Sequence, residues 1–235
     1  MRLSVVIPCY NETATVTTVV ERVARAAALA PREIIAVDDA STDGTALQLR
    51  RLMERPDLDC ELRVLTHRHN QGKGAALRTG FAAARGEIIV VQDADLEYNP
   101  TDLPDLLRPI VEGVADVVYG SRFVGSKYHR TQYFSHYVGN RSLTLLSNVA
   151  TGLNLTDVYT GYKAFRREVL EGLELRENDY GFEQEFTCKV ARRGYRIYEV
   201  GISYAGRTFA EGKKIKWTDG LRGLRNLAVY GFMRR

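Results

Sequence analysis

Residues 87–97 read Glu87-Ile88-Ile89-Val90-Val91-Gln92-Asp93-Ala94-Asp95-Leu96-Glu97. A short, unbroken apolar run that ends in a polar turn is the pattern of a strand buried on both faces, so a strand is predicted over Glu87 to Val91. Upstream the same pattern recurs. Leu3 to Pro8, Glu33 to Val37 and Leu62 to Leu65 read as buried strands. Between them lie helical patterns at Thr13 to Leu29, Asp43 to Met53 and Lys73 to Ala84, the first with Val16, Val19, Val20 and Val23 on one side. Strands alternating with amphipathic helices predict an α/β fold with a mostly parallel sheet flanked by helices. The second half is less regular. Helices are expected at Gly139 to Ala150 and Phe182 to Arg193, with weaker strands at Val117 to Tyr119 and Arg196 to Val200.

In an open parallel sheet, ligands bind beyond the carboxyl ends of the strands. Four polar clusters fall at those ends: Pro8 to Glu12, Asp38 to Thr45, Asn70 to Gly74 and Gln92 to Glu97. One such cluster often only caps the next helix, and Asp43 reads that way. Four in order converge on one rim. In the last, Asp93 and Asp95 straddle a single small residue and would repel each other unless a positive charge stood between them. A divalent cation bridging to a diphosphate supplies that charge, since Mg²⁺ is usually held by one or two carboxylates plus phosphates. Glu97 is within reach of the same ion. Lys73 lies between Gly72 and Gly74, which suggests a close backbone approach to a ligand.

The 235 residues suit one sizeable α/β domain, and 45% hydrophobic with 26% charged residues reads as globular. No apolar run approaches the roughly 18 residues of a membrane span, and the first twelve residues do not read as a signal peptide. Cys9, Cys60 and Cys188 are odd in number and widely spaced, which argues against a disulfide framework and for a cytoplasmic setting. Of the net charge of +4, residues 206–235 carry +6, from eight basic and two acidic residues, leaving −2 for the rest. A basic tail suits an anionic partner such as phosphate or a membrane surface, or is simply a solvated end. It contains no nucleic-acid-reading module, so nucleic acid is not an expected partner. A Gly-x-Gly-x-x-Gly turn and a Walker loop are both absent.

The motifs Pro8 to Glu12, Asp38 to Thr45, Gly72-Lys73-Gly74, Asp93 to Glu97, Gly120-Ser121-Arg122 and Asp157 to Phe165 together resemble family 2 glycosyltransferases of the GT-A fold. Within them the chain is most similar to the dolichyl- and polyprenyl-phosphate sugar synthases. The resemblance implies one domain over 1–235: a nucleotide-sugar-binding half at 1–100, an acceptor half at 101–205, and a basic loop with a C-terminal helix at 206–235. It implies an inverting, metal-dependent transfer of a hexose from a UDP- or GDP-sugar to a lipid phosphate, in the cytoplasm or at the cytoplasmic face of a membrane. Pro8, Tyr10, Asn11, Glu12, Asp38 and Asp39 would hold base and ribose, with Lys73, Asp93 and Ala94 completing the donor site. Asp95, with Asp93 and Glu97, would bind Mn²⁺ or Mg²⁺. Relatives carry Gln where this chain has Glu97. Arg122, and Arg141 by spacing, would grip the acceptor phosphate.

Glu183 and Glu185, in the helix beginning near Phe182, are candidate general bases for a hydroxyl acceptor. Each also has an ordinary explanation: Glu183 in a first turn, where the helix dipole favours an acid, and Glu185 paired with Lys189 four residues on. A phosphate acceptor needs no base, being already ionised near neutral pH. The alternatives are therefore the same donor chemistry onto a soluble hydroxyl and, more remotely, nucleotidyl transfer. Tyr204 to Ile215 resembles a loop that closes over the site, bringing Arg207, Lys213 and Lys214 to phosphates. Trp217, Leu221, Leu224 and Ala228 repeat at helical spacing, either as an interfacial helix in peripheral contact with a membrane or as packing onto the domain.

Overall fold

A computed structural model describes residues 1–26, 32–125, 128, 130–131, 133–208 and 223–233. The first half alternates as the apolar pattern predicts: β1 (Leu3–Cys9), α1 (Val16–Arg25), β2 (Arg32–Asp38), α2 (Thr45–Met53), β3 (Glu61–Thr66), α3 (Lys73–Ala83) and β4 (Ile88–Val91). Then follow α4 (Leu103–Val111), β5 (Val117–Ser121), α5 (Phe134–Thr151), β6 (Lys163–Arg166), α6 (Gly181–Arg192) and β7 (Ile197–Gly201). The strands form one sheet in the order β3-β2-β1-β4-β6-β5-β7. β1 runs parallel to both β2 and β4, while β6 lies antiparallel between β4 and β5.

Alternate side chains of each central strand feed opposite layers, as strand geometry requires. Val5, Ile34 and Val90 pack with Val16, Val20 and Leu49 on one face. Val6, Ile35 and Val91 pack with Leu77, Phe81, Phe182 and Phe186 on the other. Burial of both faces is why these strands read as continuous apolar runs.

Three features depart from the sequence expectations. α4 hides behind Pro104 and Pro109, yet it buries Leu103, Leu106, Leu107 and Ile110, and Pro104 sits in the first turn, where a missing N–H costs nothing. The stretch ending at Phe165, where no strand is expected, closes in strand β6 between β4 and β5. α5 begins at Phe134 rather than Gly139. Among the described residues no helix is long and apolar enough to cross a membrane. None of the three cysteines is in a disulfide.

Candidate active site

The carboxyl ends of β1, β2 and β4 each turn through a non-glycine residue at positive φ: Asn11 (52°), Ala40 (58°) and Leu96 (60°). This conformation is uncommon for side-chain-bearing residues, and its clustering at one rim marks a site held by its surroundings. The rim opens into a cleft of about 1140 Å³. Pro8, Tyr10, Glu12, Asp39, Lys73, Asp93, Ala94, Asp95, Glu97, Arg122, Glu183 and Arg207 all line it. These residues span nearly the whole sequence, and the sheet gathers them.

Two cations, Lys73 and Arg207, meet the carboxylates. Lys73 Nζ lies 2.7 Å from Asp93 Oδ1 and 3.6 Å from Glu183 Oε1. Burial alone would lower the Lys73 pKa, but Asp93 and Glu183 outweigh it and raise it, so Lys73 is a fixed ammonium. Arg207 reaches Asp95 Oδ2 at 3.0 Å and Glu12 at 3.3 Å. Even so, burial first, then Asp93 and Glu97, push the Asp95 carboxyl up to about 7. Asp93 and Asp95 offer hard oxygen donors of the kind that hold Mn²⁺ or Mg²⁺ together with phosphate oxygens. Among the described residues, no three Asp, Glu, His or Cys groups converge closely enough to hold an ion without further ligands. Glu97 spends its carboxylate elsewhere, accepting hydrogen bonds from Tyr204 Oη at 2.7 Å and the Arg207 N–H at 2.8 Å.

Gly161 approaches the rim so closely that a Cβ there would strike Asp93 Oδ2. The glycines around Lys73 have a different use from the expected approach to a ligand. Cβ atoms on Gly72 and Gly74 would collide with the carbonyls of Asn178 and Glu177, so it is the chain's own 177–178 segment that crosses there. Asp39 holds this corner, accepting from the Gln71 N–H at 2.8 Å and the Gly72 N–H at 2.7 Å, with His67 Nδ1 at 2.6 Å. Asp38 is buried beneath it and accepts from the Ser41 N–H. Asn11 Oδ1 accepts from the Thr42 N–H at 2.8 Å, tying the β1 loop to the β2 loop.

The sequence model of "Glycosyl transferase family 2" matches residues 4–173, most of the chain. The chain belongs to glycosyltransferase family 2. An undecaprenyl-phosphate mannosyltransferase of Micrococcus luteus is 34% identical over 220 residues, covering 91% of this chain and 87% of that protein. A polyprenol monophosphomannose synthase of Mycolicibacterium smegmatis is 33% identical, covering 90% of this chain and 80% of that protein. A dolichol-phosphate mannosyltransferase of Pyrococcus furiosus is 29% identical, and the match spans 59% of its length. In fold, the chain is similar to glucosyl-3-phosphoglycerate synthase of Mycobacterium tuberculosis, crystallised with Mn²⁺, UDP and glucosyl-3-phosphoglycerate. That match has a TM-score of 0.72 and 23% identity and covers 97% of this chain and 79% of that one.

In this glycosyltransferase the wall facing the carboxylates is built by α5, α6 and the end of β5. Arg122 donates twice to Asp157, Nε to Oδ2 at 2.6 Å and Nη2 to Oδ1 at 2.7 Å, and lies over the Tyr204 ring. The residues around Asp157, which have no chemistry assignable from sequence, thus aim an arginine into the cleft. Arg141 does not line the cleft. It is exposed on α5 and donates to the Thr156 carbonyl at 3.2 Å.

The two glutamates of α6 part company. Glu185 is buried outside the cleft, accepting from the N–H groups of Arg176 and Glu177 and from Lys189 Nζ. Glu183 faces the cleft, but its other oxygen is taken by the Nζ of Lys163, a fully buried lysine that also donates to the carbonyls of Val158 and Thr160. Sequence reasoning missed Lys163 because a lysine beginning a four-residue strand looks like a surface charge. Lys213 and Lys214, and Trp217 and Leu221 of the expected C-terminal helix, lie outside the described residues. Residues 227–233 form a helical turn that packs against α5 and α6.

Proposed function

We propose that the enzyme transfers a hexose from a UDP- or GDP-sugar to a polyprenyl phosphate with inversion at the anomeric carbon. The observation that carries the acceptor class is the state of the two glutamates: Glu185 is walled off under residues 176–177, and Glu183 is clamped between two lysines. Neither is placed to take a proton from a hydroxyl, and a phosphate acceptor brings an ionised oxygen that needs no base. The relatives in M. luteus and M. smegmatis carry names of the same acceptor class and support the reading.

Base and ribose would rest between Pro8, Tyr10 and the Asp39 corner. Asp93 and Asp95 would hold Mn²⁺ or Mg²⁺, and Glu97 would join only by releasing Tyr204 and Arg207. When bound, the ion neutralises charge on the departing diphosphate. Lys73 and Arg207 flank that position and stabilise the same developing charge. Arg122, fixed by Asp157, orients the acceptor phosphate, whose oxygen forms the new bond to the anomeric carbon as the bond to the nucleoside diphosphate breaks. The hydroxyl alternative rests on one observation, that Glu183 lines the cleft.

The test is a panel of UDP- and GDP-sugars with Mn²⁺, with and without polyprenyl phosphate, read by mass spectrometry, with the product's anomeric configuration read by NMR. A glycosyl phosphate lipid of inverted configuration is expected. Transfer only to soluble hydroxyl acceptors, or full activity in excess chelator, would overturn the acceptor or the metal reading respectively.

A further inference from the structure

The turn between α5 and β6 places the N–H groups of residues 155–158 outside any helix or strand, and each needs a partner. Side chains supply all four. Asn148 of α5 accepts from Leu155 at 3.0 Å, and Thr144 of α5 accepts from Val158 at 3.4 Å. The middle two go to one carboxylate, Glu199 of β7, which accepts from the Thr156 N–H at 2.8 Å and the Asp157 N–H at 3.2 Å. The Thr156 hydroxyl also donates to Glu199, at 3.2 Å, and so accepts from the Ser121 hydroxyl 2.6 Å away. Both routes end at Arg122. Asp157 accepts from the Arg122 N–H at 3.1 Å as well as from its guanidinium. Ser121, just before Arg122, accepts from the N–H groups of Phe123 and Val124, just after it, at 3.0 and 3.2 Å. Each group that touches Glu199 here is a donor, which suits a carboxylate on both oxygens and an amide on one.

The topology makes this reach possible. β7 runs parallel beside β5 with Glu199 opposite Tyr119, so the carboxylate stands one strand away from the end of β5 that carries Arg122. Stability does not account for the charge. Burial outweighs the Thr156 and Asp157 N–H groups and holds the Glu199 carboxyl above its usual range. At Glu33, a buried carboxylate of β2, burial is outweighed by Ser4, the Arg85 N–H and Arg2, and the carboxyl falls below that range. A carboxyl whose pKa rises on folding costs stability when ionised. We propose that Glu199 is a positioning residue for Arg122: by fixing the turn at Thr156 and Asp157 it holds the guanidinium at the angle that grips the acceptor phosphate, without itself touching a substrate. The last step of this statement rests on the lipid-phosphate reading, whereas the positioning of Arg122 does not.

The experiment has two readings on the full chain. One is the hydrogen exchange of the Arg122 Nε–H in ¹⁵N-labelled protein, its signal identified by its loss in Arg122→Lys. The other is steady-state transfer to farnesyl phosphate from whichever nucleotide sugar the donor panel selects. Glu199→Leu leaves the turn's N–H groups unpartnered. It should speed the Arg122 exchange and raise KM for farnesyl phosphate about tenfold, the lower end of the loss of a charge-assisted contact, with kcat and donor KM nearly unchanged. Glu199→Gln keeps one accepting oxygen and should fall between wild type and the leucine variant in both readings, so it carries the test if the leucine variant does not fold. In an Arg122→Met background, Glu199→Leu should raise KM no further, because its effect passes through the missing guanidinium. Tyr198→Thr, at the exposed neighbour on β7, should move neither reading. An Arg122 exchange rate unmoved in both Glu199 variants, a fall in kcat with KM unchanged, or a full additional effect in the Arg122→Met background overturns the proposal. A loosened Arg122 signal in an enzyme that makes no product from farnesyl phosphate supports the positioning and defeats only the acceptor reading.

Discussion

Replacing Glu183 by glutamine separates a structural carboxylate from a catalytic one. Lys163 and Glu183 form a buried pair, with side-chain exposures of 0% and 5%. Removing one partner of such a pair typically costs about 3–5 kcal/mol, because the other charge is left buried. Lys163 has an escape: burial already lowers its pKa despite Glu183, so without the carboxylate it can shed its proton. Neutralising an ordinary lysine at pH 7 costs about 4.6 kcal/mol, which caps the loss. The expected destabilisation is therefore about 3–4.6 kcal/mol by urea unfolding at pH 7. The sign with pH follows. In the variant, the folded-state pKa of Lys163 lies below the unfolded value, and between the two the unfolded chain binds the extra proton. Stability then rises with pH, recovering up to about 2.7 kcal/mol between pH 7 and 9. Adding Lys163→Met should restore much of the loss. Transfer to a phosphate acceptor, measured on folded protein, should fall by no more than about tenfold through the loosened Lys73. An unfolding midpoint equal to wild type and insensitive to pH, together with a 10²- to 10⁴-fold loss of transfer, would make Glu183 a general base and refute this reasoning.

Asp95→Asn should abolish transfer while leaving the fold intact. Because the folded Asp95 keeps its proton up to about pH 7 and the unfolded chain does not, wild-type stability falls with rising pH from the usual carboxylate range to about 7. The variant should lose that slope in melting curves taken from pH 4 to 8. By the same proton competition, Mn²⁺ affinity in the presence of UDP should drop about tenfold per pH unit below 7, measured by titration calorimetry. Arg122→Lys keeps the charge beside Asp157 but loses the two-pronged grip. Acceptor use should fall roughly ten- to a hundred-fold with donor affinity unchanged, and Arg141→Ala, at an exposed arginine outside the cleft, should cost less. Arg207→Met leaves Glu12, Asp95 and Glu97 without their shared cation. Its melting temperature should fall, and Mn²⁺ should raise it by more than in wild type, as read by differential scanning fluorimetry.

The sequence by itself determined the parallel half of the sheet, since strands buried on both faces must be apolar throughout and the helices between them must be one-sided. It also determined the rim, because the clusters ending in Glu12, Thr45, Gly74 and Glu97 stand at strand ends in any open α/β sheet. It could not reveal β6, whose four residues carry no periodicity and whose place between β4 and β5 is fixed by pairing from both sides. Nor could it apportion the glutamates of α6. Glu183 and Glu185 differ by two residues and have equally ordinary local explanations. A helix turns by about 200° over that interval, so one faces the cleft and Lys163 while the other caps residues 176–177. The partners that decide their roles come from distant parts of the chain, and only the tertiary structure brings them together. The same holds for α5, where the fold buries Thr144 and Ser147 and leaves Leu145 and Val149 exposed.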